Sequence, residues 1–274
     1  MFCVDPDLSR AGNSARPDMP APLTSIDHTT AAALDSDLAG LPGIEDRLRL
    51  IGQRIAGRIA FSTSLGLEDQ AVLHAIAASA AAIEVFTLDT GRHFPETLDT
   101  IAESQARYGI AIRLVAPEAR DVEALTDRDG VFGFRNSVEA RKACCDVRKV
   151  RPLNRALKGA AGWITGLRRE QATSRTATPF AEFDAALGLV KLNPIADWTL
   201  ARLEAYIAEH AIPVNPLHAR GFPSIGCAPC TRAIQPGEDI RAGRWWWERE
   251  AEFAHKECGL HNRPARAQSE EQRA

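Results

Sequence analysis

RIAFSTSLGLEDQAVLHAIAAS, residues 58–79, decides the fold. It opens on a short apolar run over 58–61, passes through the polar turn STSLG and continues as a helix over 68–79. Ala71, Val72, Ala75 and Ile76 recur on one face of that helix, the spacing of an element packed on a core. Strand, Gly-bearing turn and helix in that order are the first half of a βαβ unit.

The same order repeats downstream. IEVFTL (83–88) reads as a buried strand that ends in DTGR, and Pro95 opens a helix running to about residue 108, as proline does in a first helical turn. Residues 110–115 give a third strand, 163–165 a fourth followed by GLRRE, and 189–192 a fifth. A helix is expected over 137–157, kinked or broken at Pro152. Another is expected over 199–210 with Leu200, Leu203, Tyr206 and Ile207 as its core face. The alternation predicts an α/β fold, a mostly parallel sheet with flanking helices. Ligands then bind at the carboxyl ends of the strands, where three polar or Gly-bearing loops fall: STSLGLEDQ (62–70), DTGR (89–92) and GLRREQATSR (166–175). Past about residue 212 the chain becomes an irregular, Pro/Gly-rich, cysteine-bearing C-terminal segment. Residues 1–40 read as a mobile arm with a short helix near 30–38, residues 41–261 as a single domain, and 262–274 as a polar mobile tail.

The chain has 274 residues, 45% hydrophobic and 25% charged, ordinary globular values. Its net charge of −3 and pI of about 6.2 argue against broad electrostatic binding to nucleic acid. No apolar run reaches the ~18 residues of a membrane span, and MFCVDPDLSRAGNS lacks the basic start and apolar stretch of a secretory signal. A cytoplasmic protein is expected. Its six cysteines are Cys3, Cys144, Cys145, Cys227, Cys230 and Cys258. In a reducing compartment, clustered cysteines hold metal or do chemistry more often than they form staples.

Five constellations carry candidate chemistry. The loop from Ser62 to Gln70, with Ser64, Leu65 and Gly66, offers backbone N–H groups and a helix N-terminus to an anion; the alternative is an ordinary strand-to-helix turn. Arg168, Arg169 and Arg175 offer guanidinium forks that match phosphate or sulfate oxygens, against the reading of a solvated loop. Cys144–Cys145 and the CxxC of Cys227 and Cys230 supply four thiols. Adjacent cysteines have Cα atoms ~3.8 Å apart and do not wrap one ion easily, whereas a four-iron cluster offers each thiolate its own iron. The set therefore fits a [4Fe–4S] cluster better than zinc, with buried reduced cysteines and an unrelated CxxC as the alternative. Cys258, in ECGLH, has no cysteine near it in sequence; it is a nucleophile candidate or a spare surface thiol. Finally, Arg241 and Arg244 lead into Trp245-Trp246-Trp247, with the tryptophans read as core and the arginines as anion contacts.

Taken together, SLGLEDQ (64–70), LDTGRHFPET (88–97), CCDVRKVRPL (144–153), WITGLRREQ (163–171), KLNPIADWT (191–199), NPLHARGFPSIGCAPCTRAIQPGEDIRAGRWWWE (215–248) and ECGLH (257–261) resemble the assimilatory adenylylsulfate reductases. These form the iron–sulfur branch of the phosphoadenylylsulfate reductase family, and the match spans about 55–261. The resemblance implies an adenine nucleotide α-hydrolase-like fold, related to the ATP pyrophosphatases. Their loop reads SGGxDS; STSLGLEDQ departs from it, which speaks against ATP cleavage and fits a nucleotide whose β-position is sulfate. The implied reaction is thioredoxin-dependent reduction of adenylylsulfate to sulfite and AMP. In it Cys258, within a catalytic segment 250–261, attacks the sulfur and forms an S-sulfocysteine.

By the same resemblance Cys144, Cys145, Cys227 and Cys230 hold the [4Fe–4S] cluster, without an electron-carrying role. Lys149 lies beside it and couples it to the sulfate, and Arg168, Arg169, Arg241 and Arg244 clamp sulfate and phosphate. Backbone around Ser62, Ser64, Leu65, Gly66, Leu88, Asp89, Thr90 and Gly91 holds the adenosine and phosphate, and His261 aids tail docking or thiol activation. A homo-oligomer is left open. Competing readings are a 3′-phosphoadenylylsulfate reductase, an ATP-using adenylating or tRNA-modifying enzyme, and an iron–sulfur redox sensor or zinc-stapled binding module.

Overall fold

A computed structural model describes residue 23, residues 25–172 and residues 175–248. The element order follows from where apolar pattern and turn chemistry alternate. Strand β1 (Ile59–Thr63) leads through Gly66 into α3 (Leu67–Ser79), preceded by α1 (His28–Ala39) and α2 (Ile44–Arg54). Then come β2 (Glu84–Leu88), α4 (Pro95–Tyr108), β3 (Ile112–Val115), α5 (Ala119–Asp129), α6 (Val138–Cys145), α7 (Arg151–Leu157), β4 (Gly162–Ile164), β5 (Ala181–Asp184), β6 (Leu189–Leu192) and α8 (Leu200–Glu209).

The six strands form one sheet in the order β3-β2-β1-β4-β6-β5. All neighbours pair parallel except β5, which runs antiparallel to β6 at the edge. Both faces are covered, and the strand alternation shows it. Ile59 and Phe61 point into the large core with α1, α2, α3 and α8, while Ala60 points into a second core with Leu153, Ala156 and Leu157 of α7. Phe86, Trp163 and Leu189 join Ala60 there; Val85, Ile164 and Val190 lie on the opposite side. A sheet buried on both faces is what parallel pairing requires. From β1 the chain builds outward to β2 and β3, then returns to place β4 on the other side. The crevice outside the carboxyl ends of β1 and β4 is therefore the topological switch point.

Three expectations are corrected. Residues 28–39 are not an arm: α1 is capped by Asp27, which accepts from the Thr30 backbone at 2.9 Å, and it buries Ala31, Leu34 and Leu38 in the main core. Leu200 is not on the core face of α8; it is exposed because it opens the helix at the rim of the crevice. The helical run over 138–157 does not break at Pro152. A π turn over Asp146–Val150 joins α6 to α7, and Arg151 N–H donates to the Asp146 carbonyl five residues back. Proline has no N–H to give and crowds the turn before it; the widened turn absorbs this. No described helix is long and apolar enough to cross a membrane. Residues 1–22, Cys3 among them, and the whole of 250–274 lie outside the described residues.

Candidate active site

The carboxyl ends of β1, β2 and β4 open into a cleft of about 460 Å³. After β1 the chain turns at Leu65, whose φ of +60° is rare for a branched side chain. The turn is locked by the Thr63 hydroxyl accepting from Leu65 N–H at 3.0 Å. It is locked further by Asp69, which accepts from the Ser64 N–H (2.5 Å) and hydroxyl (2.6 Å). A Cβ on Gly166, in the loop after β4, would overlap the Asp69 carboxylate, so glycine lets the two strand-end loops close on each other. Burial pushes the Asp69 carboxyl up to about 6, against the pull of its Ser64 hydrogen bonds.

At the other end of the cleft lie Lys149, Arg241 and Arg244, with Cys227 and Trp245. Lys149, Cys227, Arg244 and Trp245 also line a second cavity that contains Cys144, Cys145 and Cys230. The cationic end of the cleft and the cysteine cavity thus share a wall. The CxxC loop is docked on the loop after β2: Ala228 N–H donates to the Arg92 carbonyl at 2.8 Å, and Cys227 Sγ hydrogen-bonds the Thr90 hydroxyl at 3.3 Å. A Cβ on Gly226 would overlap the Arg244 guanidinium, which explains a glycine just before the first cysteine of the pair.

The thiols are electrostatically unequal. Burial raises Cys227, but Lys149, the Thr90 hydroxyl, Arg244 and Arg92 together outweigh it and lower its pKa. Burial, then the neighbouring Cys227 and Cys145, push Cys230 up to about 12. Burial also raises Cys144, in spite of Arg92 and Arg148. None of the four is in a disulfide. Among the described residues no group of three His, Cys, Asp or Glu side chains is set to hold a metal ion. The donor set around the cavity is nevertheless one that a larger thiolate-bound group fits. Four thiols line it, and so do two cationic side chains with a buried donor that has no hydrogen-bond partner, Arg92 at Nη1 and Arg148 at Nε. Buried orphan donors are uncommon, and sulfides of an iron–sulfur group are acceptors for them.

The residues expected from sequence divide. Ser62, Ser64, Gly66, Leu88, Thr90, Lys149, Arg168, Arg241 and Arg244 line the cleft. Leu65, Asp89 and Gly91 shape it from behind. Leu65 is buried in the core, the Asp89 carboxylate accepts from Gly91 N–H at 2.8 Å, and Gly91 backs onto Arg148 at φ +67°. Arg168 and Arg169 do not act as a pair. Arg168 is buried and donates to Glu68 at 2.8 and 3.1 Å and to the Trp198 carbonyl at 3.2 Å. Arg169 turns away to the Thr178 carbonyl at 2.9 Å and stacks over Phe180. Cys258 and His261 lie outside the described residues.

The profile of the phosphoadenosine phosphosulfate reductase domain matches residues 58–233. The chain belongs to that family. Within it, the chain is 53% identical to the adenosine 5′-phosphosulfate reductase of Agrobacterium fabrum, over 89% of this chain and 94% of that protein. It is 52% identical to the adenosine 5′-phosphosulfate reductase of Allochromatium vinosum, over 75% and 79%. Among solved structures, the phosphoadenylyl-sulfate reductase of Candida auris, determined as a phosphate complex, superposes with a TM-score of 0.65 at 26% identity, covering 77% of this chain and 98% of that one. Sequence reading of this family member missed Glu68, Asp69, Arg92 and Arg148. Arg148 stands beside Lys149 in CCDVRKV, so the helical run through Cys144 could have drawn it in. The Glu68–Arg168 pair joins residues 100 positions apart and has no local signal.

Proposed function

We propose that this chain reduces adenosine 5′-phosphosulfate (adenylylsulfate) to sulfite and AMP, with thioredoxin as reductant, in the cytoplasm. The observation that carries this reading is the shared wall, where Lys149 and Arg244 stand at once against the nucleotide-sized cleft and against the four cysteines. The curated names of relatives at about half identity support it.

The chemistry sets what the residues must do. The sulfur under attack bears anionic oxygens and the nucleophile is a thiolate, so their approach is repulsive unless cations line the site. Lys149, Arg241 and Arg244 supply that charge; Arg168, neutralised by Glu68, instead braces the loops that cup the nucleotide. Cys258, carried in by segment 250–261, attacks the sulfur as thiolate. The sulfur–oxygen bond to AMP breaks, and its electron pair leaves on the phosphate oxygen. The product is an S-sulfocysteine on Cys258. A thioredoxin thiolate attacks the Cys258 sulfur, sulfite departs with the bonding pair, and the second thioredoxin thiol resolves the mixed disulfide. Both electrons come from the dithiol. Cys144, Cys145, Cys227 and Cys230 would hold a [4Fe–4S] cluster, which when bound fixes the CxxC loop and the cations packed on it. His261 would help seat the segment.

The test is steady-state sulfite release with reduced thioredoxin from adenylylsulfate and from its 3′-phosphorylated analogue. Preference for the unphosphorylated nucleotide, abolished in Cys258→Ser with AMP binding kept, is expected. Preference for the 3′-phosphorylated nucleotide moves the chain to the other branch, and sulfite release by Cys258→Ser refutes the nucleophile.

A further inference from the structure

At the end of the described chain, Glu248 is buried against Arg141 of α6. Arg141 Nε donates to Glu248 Oε1 at 2.5 Å and Nη2 to Oε2 at 3.3 Å, and the two side chains are 1% and 3% exposed. A fully desolvated ion pair is expensive to build, and this one is part of a larger clasp. The Arg141 guanidinium lies over the Trp245 ring at 4.4 Å, and that of Arg244 lies over the same ring at 4.8 Å. Trp245 is buried at φ +44°, in the left-handed region, a conformation that persists only where its surroundings enforce it. Its N–H donates to the Cys230 carbonyl at 3.0 Å, and Glu248 N–H donates to the Trp245 carbonyl at 2.9 Å.

Arg141 and Trp245 of the clasp line the cavity that holds both cysteine pairs. Arg141 precedes Cys144 by three residues on one helix, and Trp245 hangs from the carbonyl of Cys230. The clasp also fixes the point from which ten residues lead to Cys258. At ~3.3–3.6 Å per residue such a span reaches ~35 Å at most, so the root's position and direction limit where the thiol can go. We infer that Arg141 and Glu248 are positioning residues: they anchor the root of the Cys258 segment to the cysteine-bearing helix, so that delivery of the thiol depends on the cysteine site being formed. This rests on the proposed role of Cys258, but the anchoring itself can be read without it.

The experiment uses the full-length protein as purified with its bound iron, and the variants Glu248→Gln and Arg141→Lys. The latter keeps the charge but not the fork or the stacking on Trp245. Two readouts are taken. The first is tryptic cleavage after Arg249 relative to cleavage after Lys256, which needs no activity. The second is the pair of AMP affinity and single-turnover sulfonation of Cys258 at saturating adenylylsulfate. The expected result is a relative cleavage raised about fivefold or more, AMP affinity within about twofold, and sulfonation slowed about tenfold or more, which is ~1.4 kcal/mol on the barrier. An unchanged cleavage ratio in both variants overturns the anchoring. Equal losses in AMP affinity and sulfonation overturn the positioning role, because the pair would then only support the site as a whole. Absence of any Cys258 adduct in the unmodified protein is a failure of the proposed function and leaves the cleavage readout to decide the anchor.

Discussion

Asp69 shows how one side chain sets the site. Its carboxylate is buried, ties the turn after β1 through both Ser64 donors, and meets Gly166 of the loop after β4. Burial raises its pKa from 3.8 to about 6. The folded protein therefore holds its proton where the unfolded chain has lost it. The stabilisation is present in full below pH 3.8 and is lost as pH rises through about 6. At ~1.4 kcal/mol per pKa unit, Asp69→Asn should gain on the natural protein by about 2–3 kcal/mol between pH 4 and pH 7. Urea denaturation across that range measures it; a difference that does not move with pH contradicts the assignment.

The helical run from Val138 to Leu157 is where element geometry bears on chemistry. Its π turn over Asp146–Val150 inserts an extra residue between the cysteine pair and α7. An α-helix turns about 100° per residue. Inserting one alanine between Cys145 and Asp146, which the already widened turn does not absorb, should therefore rotate Cys144 and Cys145 by about that angle, away from Cys227 and Cys230. The expected outcome is a soluble protein that retains helical circular dichroism but loses bound iron; full iron occupancy would show that α6 and α7 are not in fixed register. This element also marks what the sequence makes legible. Pro152 announces a disturbance, but whether the chain breaks or widens depends on what packs beyond it. β1, β2, β4 and β6 are readable because they are mostly buried apolar runs, and α4 because Pro95 opens it. β5 was not: it is a four-residue antiparallel edge strand, only partly buried, with no clean alternation. The separate partners of Arg168 and Arg169 have no signal in the sequence, because adjacent residues leave a 3₁₀ turn in different directions.

Across the whole molecule, the N-terminal helices are held to the strand-end loops by one buried cation. Arg47 of α2 donates to the carbonyls of Leu38 (3.2 Å), Leu41 (2.8 Å) and Pro194 (2.7 Å) and to both Asp197 oxygens (2.6 and 2.9 Å). Arg47→Met should cost about 3–5 kcal/mol by orphaning these acceptors, read as a lower denaturation midpoint. A cost below ~1 kcal/mol would mean that α1 and α2 are loosely attached. On that frame the cleft and the cysteine cavity meet at one wall, and the proposed chemistry needs the Cys258 thiol to reach the sulfur bound there. The most direct measurement is the intact mass of the protein mixed with adenylylsulfate and no reductant. A gain of one SO₃ group localised to Cys258 and removed by reduced thioredoxin with release of sulfite is expected; an unmodified Cys258, with sulfite nonetheless produced once thioredoxin is added, would rule out the S-sulfocysteine.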